Sequence, residues 1–253
     1  MRPFVENFPF FCIFLALVAG ILSATFRSGR AAYRMTLAVT GAIAVLSALT
    51  LRYVVEGGLS FGYTMGRFPI PLGNAIRCGP LQALLCTVFA GVLLFALVGG
   101  SRDLFHDVLP EKQRFYFVMV NLTDAALLSL VYTNDAFTGY VFIEISTIAA
   151  CALVMAKDNG PNLIATIRYL FMSLMGSGLF LIGLAILTSI TGYLLMPSMA
   201  EAVARLAETG EYRVPLTVCA GLMVTGLGIK SAMFPFHLWL PDAHGSATTA
   251  SSA

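Results

Sequence analysis

The stretch Lys230-Ser231-Ala232-Met233-Phe234-Pro235-Phe236-His237-Leu238-Trp239-Leu240-Pro241-Asp242-Ala243-His244 closes a long apolar segment. It sets a lysine where water is scarce, then two prolines, two histidines, an aspartate and the only tryptophan of the chain, with apolar residues in the gaps. Charge inside a bilayer is costly and marks transport or proton transfer more often than anchoring. Proline inside a spanning helix frees backbone carbonyls and interrupts the hydrogen-bond ladder. The stretch therefore predicts a membrane-buried titratable site at a helix discontinuity.

Composition supports the membrane setting. Of 253 residues, 58% are hydrophobic and 11% charged, and the mean hydropathy is +0.85. A soluble surface takes about a quarter charged residues, so this chain cannot cover one. A net charge of +2 without a basic run argues against nucleic-acid binding. Cys12, Cys78, Cys86, Cys151 and Cys219 form no C-x-x-C pair. Metal and iron–sulfur ligation need clustered thiolates, so the cysteines read as small buried apolar residues and no cofactor is expected. Arg2 precedes the apolar run Phe8–Phe26. That run is long for a cleaved leader and is read as a retained first span.

A spanning helix needs about 20 mostly apolar residues, and on that ruler the chain holds about seven: Phe8–Phe26, Met35–Val55, Pro80–Val98, Phe115–Tyr132, Ala136–Ala156, Leu163–Ile190 and Val214–Phe234. The seventh is expected to run on through the broken motif to about Leu240. Between the second and third spans, Glu56 to Gly79 reads as an ordered extramembrane loop with Phe61, Tyr63, Phe68, Pro69 and Pro71, in hairpin form. Thr191–Arg213 is polar with a weak amphipathic piece around Met199–Ala207. The loop after the first span carries Arg27, Arg30 and Arg34 and no acid. The positive-inside rule then places it, Ser101–Arg114 and Lys157–Pro161 in the cytoplasm, with the N-terminus outside.

Several charges in the spans need an explanation. Glu144 lies about eight residues into the fifth span, so ~12 Å deep at 1.5 Å per residue, near the middle of a ~30 Å hydrocarbon layer. Lys230 lies at comparable depth in the seventh. Burial penalises either charge alone, and each offsets the penalty of the other when they are adjacent; a proton moved at one then alters its neighbour. A static ion pair that fixes packing is the plain alternative. His237 suits proton relay or a hydrogen bond to a carbonyl freed by Pro235 or Pro241. Trp239 reads as an anchor or packing residue, and Asp242 as the cap of a following helix. His244 faces either a water path or the aqueous edge. Arg168 does not deprotonate, so it tunes a neighbour or pairs with Glu144. Asp124 is either a third buried acid or a partner of Thr123 and Asn121.

The Lys230–His244 stretch resembles the signature of the antiporter-like membrane subunits found in respiratory complex I, in Mrp-type sodium/proton antiporters and in energy-converting membrane hydrogenases. Asn134–Ile148 looks like the segment bearing that family's key glutamate, and its Tyr140-Val141-Phe142-Ile143-Glu144 form is closest to the Mrp and hydrogenase branch. Ile167-Arg168-Tyr169-Leu170-Phe171 and Gly176-Ser177-Gly178 fit the segment that follows, and the resemblance runs from about Pro80 to the end.

The resemblance implies an all-α integral membrane protein with a broken seventh helix, matching the N-terminal half of the antiporter-like fold. Residues 1–98 would form a three-helix segment with the loop at 56–79. Residues 99–253 would form a proton-translocating module, the first inverted repeat, ending as the eighth helix begins. Glu144, Lys230 and His237 would transfer protons, while Arg168, Asp124, Asp242 and His244 would modulate or hold structure. Many members carry lysine where Arg168 stands, which favours a tuning role there.

The expected function is a proton-translocating subunit of a redox-driven complex of the NADH:quinone oxidoreductase or hydrogenase kind, without a catalytic centre of its own. The alternatives are an Mrp-type sodium/proton antiporter subunit and a truncated, non-conducting structural piece. Expected partners are the lipid bilayer and other membrane subunits, including a separate polypeptide supplying the missing C-terminal helices. The expected location is the inner (cytoplasmic) membrane, multi-pass.

Overall fold

The computed structural model describes residues 4–58, 60–64, 75–157 and 159–253. Seven of its helices are long and apolar enough to cross a membrane. They begin with α1 (Phe8–Thr25) and α2 (Gly29–Gly57). Two short strands follow, β1 (Phe61–Thr64) and β2 (Ala75–Cys78), then α3 (Pro80–Gly99) and the short α4 (Ser101–Asp107). Next come α5 (Pro110–Tyr132), α6 (Ala136–Val154), α7 (Gly160–Thr191), α8 (Met196–Thr209) and α9 (Arg213–Lys230). The short helices α10 (Trp239–Ser246) and α11 (Thr249–Ser252) end the chain.

The helices show what kind of solvent they face. Along α1 the buried positions after Phe8 and Pro9 are Cys12, Ala16, Ala19, Gly20 and Ser23. Along α2 they are Gly29, Ala32, Thr36, Thr40, Ile43, Ser47, Thr50 and Val54, at helical spacing. Small and hydroxyl side chains thus sit between helices, where backbones approach closely, while large apolar ones point outward: Ile21 is 71% and Phe95 79% exposed. That inversion belongs to a bundle packed in lipid, where apolar burial supplies no force between helices. The protein is a multi-pass membrane protein.

Two groups of helices form. α1, α2, α3 and α5 pack together, and α7 packs along α9 with α6 and α10 beside it. α5 joins the groups through its contacts with both α1 and α6. Between spans two and three, β1 and β2 pair antiparallel with Phe61 opposite Cys78, as expected of a hairpin; Phe68, Pro69 and Pro71 lie outside the described residues. Bridges Ile76–Thr133 and Asp135–Leu195 tie the strand pair to the α5–α6 and α7–α8 connections at the same end. Burial pushes the Cys78 thiol up to about 12 there.

At the other end, Lys157 Nζ lies 3.1 Å from Asp107 Oδ2, so the 101–114 and 157–161 loops share one side. His106 beside it and the Lys157 ammonium hold the Asp107 carboxyl below the usual carboxylate range. A carboxyl whose folded value is depressed adds stability above its unfolded value, near 3.9, and loses it as the pH falls through the folded one. Thermal midpoints should therefore drop slightly on acidification from neutral pH to about pH 3, and Asp107→Asn should remove that part of the drop. The effect is small because the carboxylate is 25% exposed and water screens it. An unchanged acid dependence in the variant would dismiss the role.

Candidate functional site

α6 brings Glu144 into the bundle. Its start is fixed by Asp135, whose carboxylate accepts from the Thr138 amide at 2.7 Å, an N-cap that satisfies one orphan donor of the first turn. Glu144 and Thr147, three residues apart, then lie on one face. α9 reaches that face because α7 lets it come close. A Cβ added at Gly226 would stand 2.5 Å from the Gly176 carbonyl oxygen, and one at Gly176 would stand 2.9 Å from that of Gly226. Two glycines thus bring the helices to near backbone contact, and Lys230 follows Gly226 by one turn.

Lys230 is the last residue of α9. The expected continuation of this span to Leu240 is corrected here: the helix ends, residues 231–238 form turns, and helix resumes at Trp239. The stop is a Schellman arrangement. The Met233 amide donates to Gly228 O at 2.9 Å and the Ala232 amide to Ile229 O at 3.2 Å, with Ala232 left-handed at φ 51°. That position ordinarily takes glycine. Lys230 therefore places its cation at a helix C-terminus, where the helix dipole favours it.

The lysine ammonium donates to Glu144 Oε1 at 3.2 Å and to Thr147 Oγ1 at 2.6 Å. The two charged side chains are 14% and 19% exposed. Glu144 and Lys230 are the pair the sequence suggested. Thr147 was missed, although its place one turn beyond Glu144 was a usable signal.

The rest of the motif divides differently from expectation. Trp239 Nε1 donates to Ile229 O at 3.2 Å, and its ring stacks on Tyr169 at 4.6 Å. The tryptophan thus adds a second donor to the Ile229 carbonyl, which also accepts from the Ala232 amide. His237 stacks on Phe234 at 5.7 Å; its Nδ1 is buried without a hydrogen-bond partner among the described residues. Arg168 pairs with Asp242 rather than with Glu144, because α10 folds back beside α7. Asp242 accordingly sits inside the first turn of α10 and is not its cap. His244 Nδ1 lies 3.0 Å from Ser252 O and 3.2 Å from its Oγ. Asn162, also missed, donates to Val154 O at 2.8 Å and Ser246 O at 2.7 Å, fastening α6, α7 and α10. Asp124 is buried on α5, with Oδ2 unpartnered among the described residues; Thr123 and Asn121 bond elsewhere. Among the described residues no three His, Cys, Asp or Glu side chains gather as metal ligands would.

This geometry has counterparts. Residues 133–253 match the family described as NADH:quinone oxidoreductase/Mrp antiporter, transmembrane. The N subunit of the NADH-quinone oxidoreductase of Desulforudis audaxviator is 32% identical over 92% of this chain and 45% of its own length. A Na(+)/H(+) antiporter subunit of Bacillus subtilis is 27% identical over 98% of this chain and 49% of its own. The chain thus spans about half the length of the curated relatives it matches.

Two solved structures share the fold. A chain of the membrane-bound sulfane sulfur reductase, an archaeal respiratory membrane complex, superposes with a TM-score of 0.84 at 23% identity, covering 98% of this chain and 49% of that one. A chain of the Mrp complex from Dietzia sp. DQ12-45-1b gives 0.83 at 22% identity, covering 99% and 45%. These matches extend over nearly the whole chain and include both the Glu144 segment and the Lys230 break. Residues 133–253 thus belong to the NADH:quinone oxidoreductase/Mrp antiporter transmembrane family, and the whole chain shares the fold of these antiporter-like subunits.

Proposed function

We propose that this chain moves protons across the inner (cytoplasmic) membrane as an antiporter-like subunit of a redox-driven complex. The observation that carries the reading is the Lys230–Glu144 pair, 3.2 Å apart and largely shielded, set where a spanning helix stops. Membrane-buried ionisable pairs mark ion and proton pathways. A proton arriving at Glu144 removes the partner that holds Lys230 charged, so the lysine can pass its own proton on; withdrawal reverses the step. Thr147 keeps the ammonium placed while the carboxylate changes state. His237, seven residues beyond Lys230 on the turn, offers the next titratable group. Arg168 and Asp242 hold α7 against α10 and carry no proton. The partners are other membrane subunits, with the remaining helices of the fold supplied by the same polypeptide or by a separate one.

The test is proton uptake into everted vesicles holding the chain with its complex. Uptake driven by electron transfer and indifferent to sodium is the expected result. Proton exchange started by a sodium pulse alone would move the assignment to a sodium/proton antiporter. Silence under both drives would favour a non-conducting structural role.

A further inference from the structure

Asp124 stands apart from the Glu144–Lys230 site. It sits mid-way along α5, is 3% exposed, and its Oδ2 has no hydrogen-bond partner among the described residues. The helix beside it shows what it faces. Tyr33 of α2 packs on Phe117 of α5 at 5.7 Å, and one turn later Asn121 Nδ2 donates to Thr36 Oγ1 at 2.8 Å. The two helices therefore run in the same direction, and one turn further brings Thr40 to the level of Asp124. Thr40 is 1% exposed, and its Oγ1 is also buried without a partner among the described residues. Thr40 and Asp124 thus lie at one level of the α2–α5 contact, each with an unpartnered polar atom among the described residues.

On its other side Asp124 lines a cavity of about 400 Å³ between α3 and α5. The wall is mostly apolar, with Val88, Val92 and Leu93 from α3 and Leu127 from α5, and it also carries Tyr116, Thr123 and Ser251. Val88 and Val92 are also exposed on the outer surface of α3, so the cavity opens toward that surface. Among the described residues the lining holds no other acidic side chain and no basic one. The titratable groups near Asp124 are Cys12 of α1, Cys86 of α3 and Tyr116 at the cavity.

We propose that Asp124 is a second membrane-embedded proton-binding site, separate from the Glu144–Lys230 pair and open to small apolar carboxyl-directed ligands through the α3–α5 cavity. A bound proton neutralises a carboxyl that is otherwise buried with no partner at Oδ2 among the described residues and no basic side chain in the cavity lining, and an unpaired buried charge is costly.

An apolar carbodiimide tests this on the full chain in vesicles. A protonated carboxyl adds its oxygen to the central carbon and its proton to one nitrogen of the reagent. The acyl group then shifts to nitrogen, leaving an N-acylurea that contains the whole reagent, with nothing else consumed. Mass spectrometry should find the adduct on Asp124, equally in Glu144→Gln, and lose it in Asp124→Asn. Val92→Trp, which fills the cavity from α3 and leaves the carboxyl in place, should slow labelling several-fold; an unchanged rate would overturn the cavity route. Absence of the adduct in the unaltered chain, or its suppression by sodium at constant pH, would overturn the proton site. Because the Glu144→Gln arm is read by the same adduct, failure here is distinguishable from failure of the main pathway.

Discussion

Glu144→Gln is expected to lower coupled proton transfer by on the order of 10²-fold, the scale set by losing one proton-transfer group, while the chain still accumulates in the membrane. Glutamine keeps the shape and an acceptor oxygen for Lys230 Nζ, which lies 3.2 Å from Oε1 and 2.6 Å from Thr147 Oγ1. The α6–α9 contact should therefore survive. What disappears is the ability to take a proton and, with it, the signal that changes the state of Lys230. Removing a buried partner outright costs about 3–5 kcal/mol, so Glu144→Ala should also reduce the amount of protein, and the two variants separate chemistry from folding. The measurements are the initial rate of proton uptake and the quantity of chain in the same vesicles. A glutamine variant that pumps at the unaltered rate would reduce the pair to a packing contact.

How far these residues were visible in the sequence depends on what each contrasts with. Glu144 and Lys230 stood out because a charge inside an apolar run is conspicuous, and the span lengths put them at matching depth. The seven spans and the strand pair were legible for the same reason, since apolar length and turn-rich interruptions are local properties. The break in the seventh span was legible in Pro235 and Pro241, but the point where α9 ends was not. Met233, Phe234, Leu238 and Leu240 keep the hydropathy high past Lys230, whereas the helix is stopped by the left-handed backbone at Ala232, which hydropathy does not register.

Partner choice among polar groups was equally hidden. Arg168 and Asp242 are 74 residues apart, and only the fold-back of α10 beside α7 decides that they pair. Trp239 bonds the Ile229 carbonyl at the end of α9, a partner that only the fold-back of α10 decides. Asp124 was ambiguous for the reverse reason. Its candidate partners Asn121 and Thr123 were spent on Thr36 and on the helix backbone, and no local pattern records that.

Gly226→Ala should be the most damaging single-methyl change in the α7–α9 pair. The new Cβ would fall 2.5 Å from Gly176 O and 2.8 Å from Phe180 N. Both are backbone atoms of a helix that cannot turn aside as a side chain can. Overpacking of this kind costs about 1–3 kcal/mol, so the melting temperature in detergent should fall by about 2–12 °C at the few degrees per kcal/mol that suit a chain of this size. Separation of the helices also carries Lys230, one turn along, away from Glu144, so proton uptake per molecule should fall as well. Gly178→Ala is the matched control: nothing lies within 4 Å of its added Cβ, and alanine is the better helix former by about 1 kcal/mol, so that variant should melt no lower than the unaltered chain. Gly183→Ala should fall between them, because its nearest obstacle at 2.7 Å is the flexible Met223 side chain, with Cys219 O behind it at 3.0 Å. The order Gly178, Gly183, Gly226 is the discriminating result. If all three variants melted alike, glycine would serve these helices only through backbone flexibility, and the position of Lys230 would not depend on close approach.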